Sequence, residues 1–200
     1  MPIPVPTLKT YEKTSLDLAI EAFAKHESPG IAELNCVRTQ ADLKDKIDSY
    51  RFGALAMTEE NRETEGHDSA RMAELMELCC DPRPAAAEYC HCHAIVSGAH
   101  NEAATIRAVL AWALLRIDDP RNGCWLPRNT AARVHMPLWL KNAVPHSRIH
   151  RKSYYRWLGD LINPTMIKSP EDLVRTLKTV RMRLQYGAVP KNILEEMRLQ

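Results

Sequence analysis

Six of the eight histidines in this 200-residue chain lie between positions 91 and 150, four of them inside two of three short words that follow in order there. The first is His91-Cys92-His93-Ala94-Ile95-Val96 and the second is Asn122-Gly123-Cys124-Trp125-Leu126-Pro127. The third is His146-Ser147-Arg148-Ile149-His150, followed by Tyr154. The first two words are short and apolar, as strands are. The third places two histidines four apart, which on a helix would stack on one face and could grip one ion. A fold that uses all three must bring the strand-borne His93 against the helical pair, and that requires a mixed α+β arrangement.

The rest of the chain reads as mainly helical. Ser15 is the expected N-cap of a helix over Leu16 to His26, stopped by Pro29-Gly30. Thr39 or Gln40 opens a second helix to about Tyr50, and residues 58–68 read as an acidic loop or exposed helix. Ser69 caps a helix to Cys80, ended by Asp81-Pro82 and Pro84. Asn101 opens an amphipathic helix with Ile106, Val109, Leu110, Ala113, Leu114 and Ile117 on one stripe. Asn122-Gly123 is the strongest hairpin signal, with a second strand over Cys124 to Leu126. His146 to Asn163 should run as one helix, Ser169-Pro170 starts another to Tyr186, and Pro190 starts the last. Residues 1–8, with Pro2, Pro4 and Pro6, read as an extended arm. The expected division is an acidic helical segment 1–84, a core 85–164 with two strands, and C-terminal helices 165–200 packed on it.

Composition excludes several classes. A 45% hydrophobic and 26% charged chain is neither disordered nor fibrous. No apolar run approaches the roughly 20 residues that span a bilayer, so no membrane partner is expected. The opening MPIPVPTLKTYEK lacks the charged-then-apolar pattern of a secretory signal, so folding in a reducing cytoplasm is expected. Six cysteines without scaffold spacing fit that compartment. Cys90-His91-Cys92-His93 could be read as a structural zinc cluster, but no second ligand pair matches it, and buried free thiols are the plainer reading.

Charge is divided unequally. Residues 1–100 carry 10 Lys/Arg against 17 Asp/Glu, and residues 101–200 carry 17 against 8. All four tryptophans lie in the basic half. A basic, aromatic-bearing half suits a nucleic-acid surface, because neutralising phosphates releases counterions, although a solvated basic face would look the same. The acidic half could shield the basic one or serve as a docking surface.

Taken together and in order, the words HAIV, NGCWLP and HSRIH with Tyr154 resemble the AHH family of the HNH/endonuclease VII nuclease superfamily. That family's pattern is a small residue, His-His-Ile/Val, an apolar helix, Asn-Gly-x-x-Leu-Pro, then His-x₃-His-x₃-Tyr. The resemblance covers about residues 88–162 and implies a ββα-metal core holding one divalent ion, Mg, Mn or Zn. It implies His93, His146 and His150 as metal ligands and Asn122 as an orienting or ligating amide, with Tyr154 four residues beyond the pair. The family's second histidine, its general base, falls at Ala94. Alanine accepts no proton, so the expectation is a nuclease inactivated at that position, through a deliberate change or as a natural relative that kept only binding. His91 or His100 could instead supply a base from a shifted position.

Members of the family are often toxins in interbacterial competition. The resemblance therefore implies DNA as substrate, with RNA possible, and a cognate immunity protein. It also implies a secretion-system adaptor or chaperone, such as a type VI effector uses, and delivery from the producing cytoplasm into a target cell. The alternative is a non-catalytic helical binding protein or nucleic-acid adaptor whose histidines are structural. Convergence of His93, His146 and His150 on one point separates the two.

Overall fold

The computed structural model describes residues 13–79 and 81–194. The proline-rich arm and Cys80 lie outside the described residues. The fold is mainly helical α+β with one two-stranded antiparallel sheet. It divides into two compact units, residues 1–49 and 50–200. Segment 50–79, which the sequence groups with the N-terminal helices, thus falls in the second unit.

The described part of the first unit holds α1 (Ser15–Lys25) and the start of α2 (Ile31–Ala56). The cap of α1 is Thr14 rather than Ser15: its hydroxyl accepts from the Asp17 amide, and Asp17 reaches back to the Thr14 amide at 2.7 Å. That reciprocal box satisfies two orphan amides at once. α2 is longer than expected at 26 residues and runs through the proposed start at Thr39.

In the second unit follow α3 (Glu59–Glu63), α4 (Ser69–Leu78), β1 (Cys90–Ala94), α5 (Ala104–Trp112), β2 (Gly123–Pro127), α6 (Lys152–Leu161) and α7 (Pro170–Tyr186). β1 pairs with β2 in the register His93 with Cys124 and Ala94 with Gly123. Opposed residues share a face of the sheet and successive residues alternate. One face therefore carries His91, His93, Cys124 and Leu126, and the other carries Cys90, Cys92, Ala94, Gly123 and Trp125.

The second face packs on α4. Cys92 Sγ lies 3.4 Å from Met76 Sδ, and a Cβ on Gly123 would collide with Met76. Glycine is needed there for a close approach rather than for a turn. Asn122-Gly123 does not make the hairpin that the dipeptide suggests. Residues 95–122, including α5, intervene between the strands, and Gly123 is extended at φ −97°. Cys90, Cys92 and Cys124 are free thiols. Burial pushes their pKa values up, Cys90 to about 11 and Cys92 to about 12, so they stay neutral and pack as apolar groups. Trp125, Leu126, Ile149, Leu158, Leu173 and Leu177 complete a core shared by the sheet, α6 and α7. No helix of the described residues is long and apolar enough to cross a membrane.

Candidate metal centre

His93 enters the site from the sheet face opposite α4 and is 1% exposed. The other two histidines do not arrive on one α-helix as expected. His146 opens a short 3₁₀ turn, His146–Arg148, behind Pro145, and α6 begins only at Lys152. Pro145 presets φ at −64° for that turn. The extended Arg151 then breaks the path into α6. The spacing survives the break: Ile149 packs fully into the core and aims both histidines the same way.

The three rings converge. Their centroids lie 5.0 Å (His93–His146), 5.4 Å (His93–His150) and 4.7 Å (His146–His150) apart. One nitrogen from each can be chosen so that all lie within 4.8 Å of one another. His150 Nε2 is 2.9 Å from His146 Nε2.

Each ring is also held from behind. His93 Nε2 is 3.3 Å from the Tyr154 hydroxyl, which itself donates to the Ile95 carbonyl at 3.0 Å. With its hydrogen given to Ile95, the Tyr154 oxygen accepts from His93 Nε2–H and leaves the other nitrogen of His93 to accept. His146 Nδ1 is 3.0 Å from His91 Nδ1, and His150 Nδ1 is 3.3 Å from the Tyr155 hydroxyl. A polar partner behind each ring fixes tautomer and orientation, as around metal-binding histidines generally.

Burial depresses the basicity of the whole set. His93 falls well below the usual range, His146 falls to about 4 with His150 and His91 adding to burial, and His150 falls with His100 adding. The rings are therefore neutral at pH 7 with lone pairs available, the state a metal requires. Three neutral imidazoles with no carboxylate among them fit a divalent transition ion.

An open cavity of about 520 Å³ runs along β1 and is lined by residues 90–94, His146 and His150, with His67, Ser69, Ala70, Arg83 and Ser97 closing the far side. Ala94 lines it, 4% exposed, and offers no proton acceptor. Asn122 is outside it. Its Oδ1 accepts from the Val96 amide at 2.9 Å, and its Nδ2 donates to the carbonyls of Val96 and Ile117. The amide holds the loop after β1 and is not among the residues that line the cavity. Tyr154 is fully buried behind His93. His100 caps the turn before α5 and stacks on Tyr155 at 4.2 Å, and His91 backs His146, so neither shifted candidate stands ready as a base.

One cavity residue carries no sequence signal. His67 Nδ1 lies 2.6 Å from Oδ1 of Asp118, a carboxylate 0% exposed and 51 residues away. The pair is visible only in three dimensions.

Three histidines that could hold a metal ion, beside two short antiparallel strands and a helix, are the arrangement expected of a ββα-metal nuclease. The chain belongs to the AHH family, a nuclease family of the HNH/endonuclease VII superfamily with a conserved Ala-His-His, whose model matches residues 76–181. The conserved word stands here as Cys92-His93-Ala94. No curated protein and no solved structure matches the chain.

Proposed function

We propose that this chain is a metal-dependent endonuclease that hydrolyses DNA. The observation carrying the reading is the convergence of His93, His146 and His150 on one gap, each ring backed by a polar group, in a nuclease family member. A binding module with structural histidines has no need of that convergence. The three histidines would hold the ion. When bound, it supplies positive charge that steadies the scissile phosphate and the leaving oxygen. Of Mg, Mn and Zn, an all-imidazole set favours zinc, because hard magnesium prefers oxygen ligands.

The chain's own groups position the substrate. Arg83 lines the cavity, and the Arg128 guanidinium lies close enough to His91 to add to the lowering that burial causes. Such cations fix a phosphate backbone without reading sequence. The wider role we propose is that of an interbacterial toxin effector. It would be delivered into a target cell by a type VI or similar system, restrained in its producer by an immunity protein, and loaded through an adaptor on the acidic half. This rests on family analogy and on the charge division between halves.

Ala94 leaves the family's base position without a base. A chain relying on that position alone would bind metal and nucleic acid but cut about 10²–10⁴-fold more slowly. The test is digestion of plasmid DNA and of RNA by this chain and its Ala94→His variant with Zn²⁺, Mn²⁺ or Mg²⁺. Cleavage by either protein, lost on chelation, supports the reading. If neither cuts with any ion, the nuclease reading fails.

A further inference from the structure

The sheet register places position 94 on the face that packs on α4, away from His91 and His93. A base at 94 would therefore work in the space beside the start of α4, where His67 stands. His67 and Ala94 line the same cavity with His93, His146 and His150. We infer that His67, oriented by Asp118, fills the role of the histidine absent from position 94 and is the general base for phosphodiester hydrolysis; the inference rests on the nuclease reading above.

The geometry of the pair carries it. Asp118 is fully buried, accepts from the Asp68 amide at 3.1 Å and faces Arg71 Nη1 at 3.6 Å. A carboxylate acceptor fixes His67 Nδ1 as the donor, which leaves Nε2 as the nitrogen turned away from Asp118. Nε2 has no hydrogen-bond partner among the described residues, and the side chain, 26% exposed, is among those lining the cavity. A buried carboxylate holding one nitrogen so that the other faces the reaction is the orienting logic of hydrolase triads.

The frame around His67 is rigid. A Cβ on Gly98 would lie 3.0 Å from both the backbone nitrogen and the Cβ of His67, so a side chain there would push the loop after β1 away from His67 by a few tenths of an ångström. Arg107 ties the same loop to the end of α3, donating to the carbonyls of Ser97, His100 and Glu63. Glu65 is held by Arg116 and accepts from the Ile117 amide, next to Asp118. The Asp68 carboxylate turns away to cap α4 through the Ala70 and Arg71 amides. A charge on His67 would also be felt at His93, His146 and His150, as expected of a group sharing their cavity.

The step balances simply. A water gives a proton to His67 Nε2 as its oxygen bonds to phosphorus, and the P–O bond to the leaving oxygen breaks with its electron pair. The leaving oxygen takes a proton from solvent, His67 releases its own, and the net change is hydrolysis. Asp118 stabilises the imidazolium in between.

The experiment compares the parent chain with His67→Ala, and with His67→Ala combined with Ala94→His, on supercoiled plasmid with Zn²⁺ or Mn²⁺. The parent cuts, and His67→Ala loses about 10²–10⁴-fold in rate. Zinc affinity by calorimetry stays close to that of the parent, the melting temperature falls because buried Asp118 loses a partner, and added imidazole restores part of the cleavage. Ala94→His in the His67→Ala background restores cleavage from the family position. ¹⁵N spectra of the parent show His67 Nδ1 as the hydrogen-bonded N–H, and an Nδ1 without a proton overturns the inference. His67→Ala cutting within a few-fold of the parent overturns the inference, as does loss of zinc affinity in that variant. A silent parent beside an active Ala94→His also overturns it, while the nuclease reading stands. Silence from both overturns the nuclease reading and this inference with it.

Discussion

Tyr154 holds its hydroxyl 3.3 Å from Nε2 of His93, so a phenol 61 residues downstream orients the most buried ring of the metal set. The same hydroxyl donates to Ile95 at 3.0 Å, which locks α6 to the chain leaving β1. Ligand orientation and core packing thus share one buried oxygen.

Removing that oxygen separates the two roles. Tyr154→Phe keeps the ring in the core but leaves the Ile95 carbonyl unsatisfied, costing about 1–3 kcal/mol of stability. It also frees His93 to rotate, and zinc affinity should fall about 10–100-fold. Urea unfolding and zinc calorimetry on the variant measure both effects. Unchanged affinity would show that His93 is oriented by packing alone.

Zinc itself should stabilise the chain. At 100-fold excess over its dissociation constant an ion bound only to the folded state contributes about 2.7 kcal/mol, seen as a raised melting temperature that chelator reverses. His150→Ala should abolish the zinc-induced shift with little change in the metal-free melt, because His150 is exposed and its neighbour Ile149 does the packing. A variant that keeps the full shift would remove His150 from the ligand set.

Acid should weaken the metal-free fold. His93, His146, His150 and His91 have folded-state pKa values below the unfolded value near 6.5, with His146 at about 4. Between those values the unfolded chain binds more protons, so stability is full above about pH 6.5 and falls as pH drops towards about 4. Chemical unfolding at pH 7, 6 and 5 checks the sign. Constant or rising stability across that range would contradict burial as the cause.

Duplex binding should depend steeply on salt. On the nuclease reading, Arg83 at the cavity and some of Arg128, Arg133, Arg148, Arg151, Lys152 and Arg156 from the basic half would contact phosphate. A protein neutralising about six phosphates loses roughly 10³-fold in affinity between 50 and 200 mM salt. Arg83→Ala or Arg128→Ala should each lower the salt slope by about one. Filter binding of labelled duplex reads it directly, and a flat response would make the basic half a solvated face.

The histidine set was legible because its signals are local: alternation on a strand, a four-residue spacing, and the order of three words. The continuous helix read over His146 to Asn163 was not, because periodicity cannot register the extended backbone at Arg151. The hairpin at Asn122-Gly123 failed for a similar reason. Both residues answer long-range demands, Asn122 on Val96 and Ile117, and Gly123 under Met76. His67 was invisible because its meaning lies wholly in Asp118, a residue distant in sequence that no periodic pattern connects to it.

Position 94 offers the sharpest separation of these ideas. Ala94 lies on the α4 face of β1 and lines the same cavity as His67. Ala94→His would place a second imidazole there while keeping all three ligand histidines, and because Ala94 is only 4% exposed the added volume should cost about 1–3 kcal/mol of stability. If His67 already serves as the base, the gain in cleavage should be modest, within about tenfold. If no base is present, the gain should approach the roughly 10²–10⁴-fold that a positioned base supplies. Adding His150→Ala should abolish cleavage in either case, since the phosphate would lose the ion that holds it. Expression in bacteria gives the cellular version: toxicity from the Ala94→His chain, relieved by His150→Ala. A harmless Ala94→His chain that binds zinc and duplex but leaves both DNA and RNA intact would mean that the centre binds without cutting.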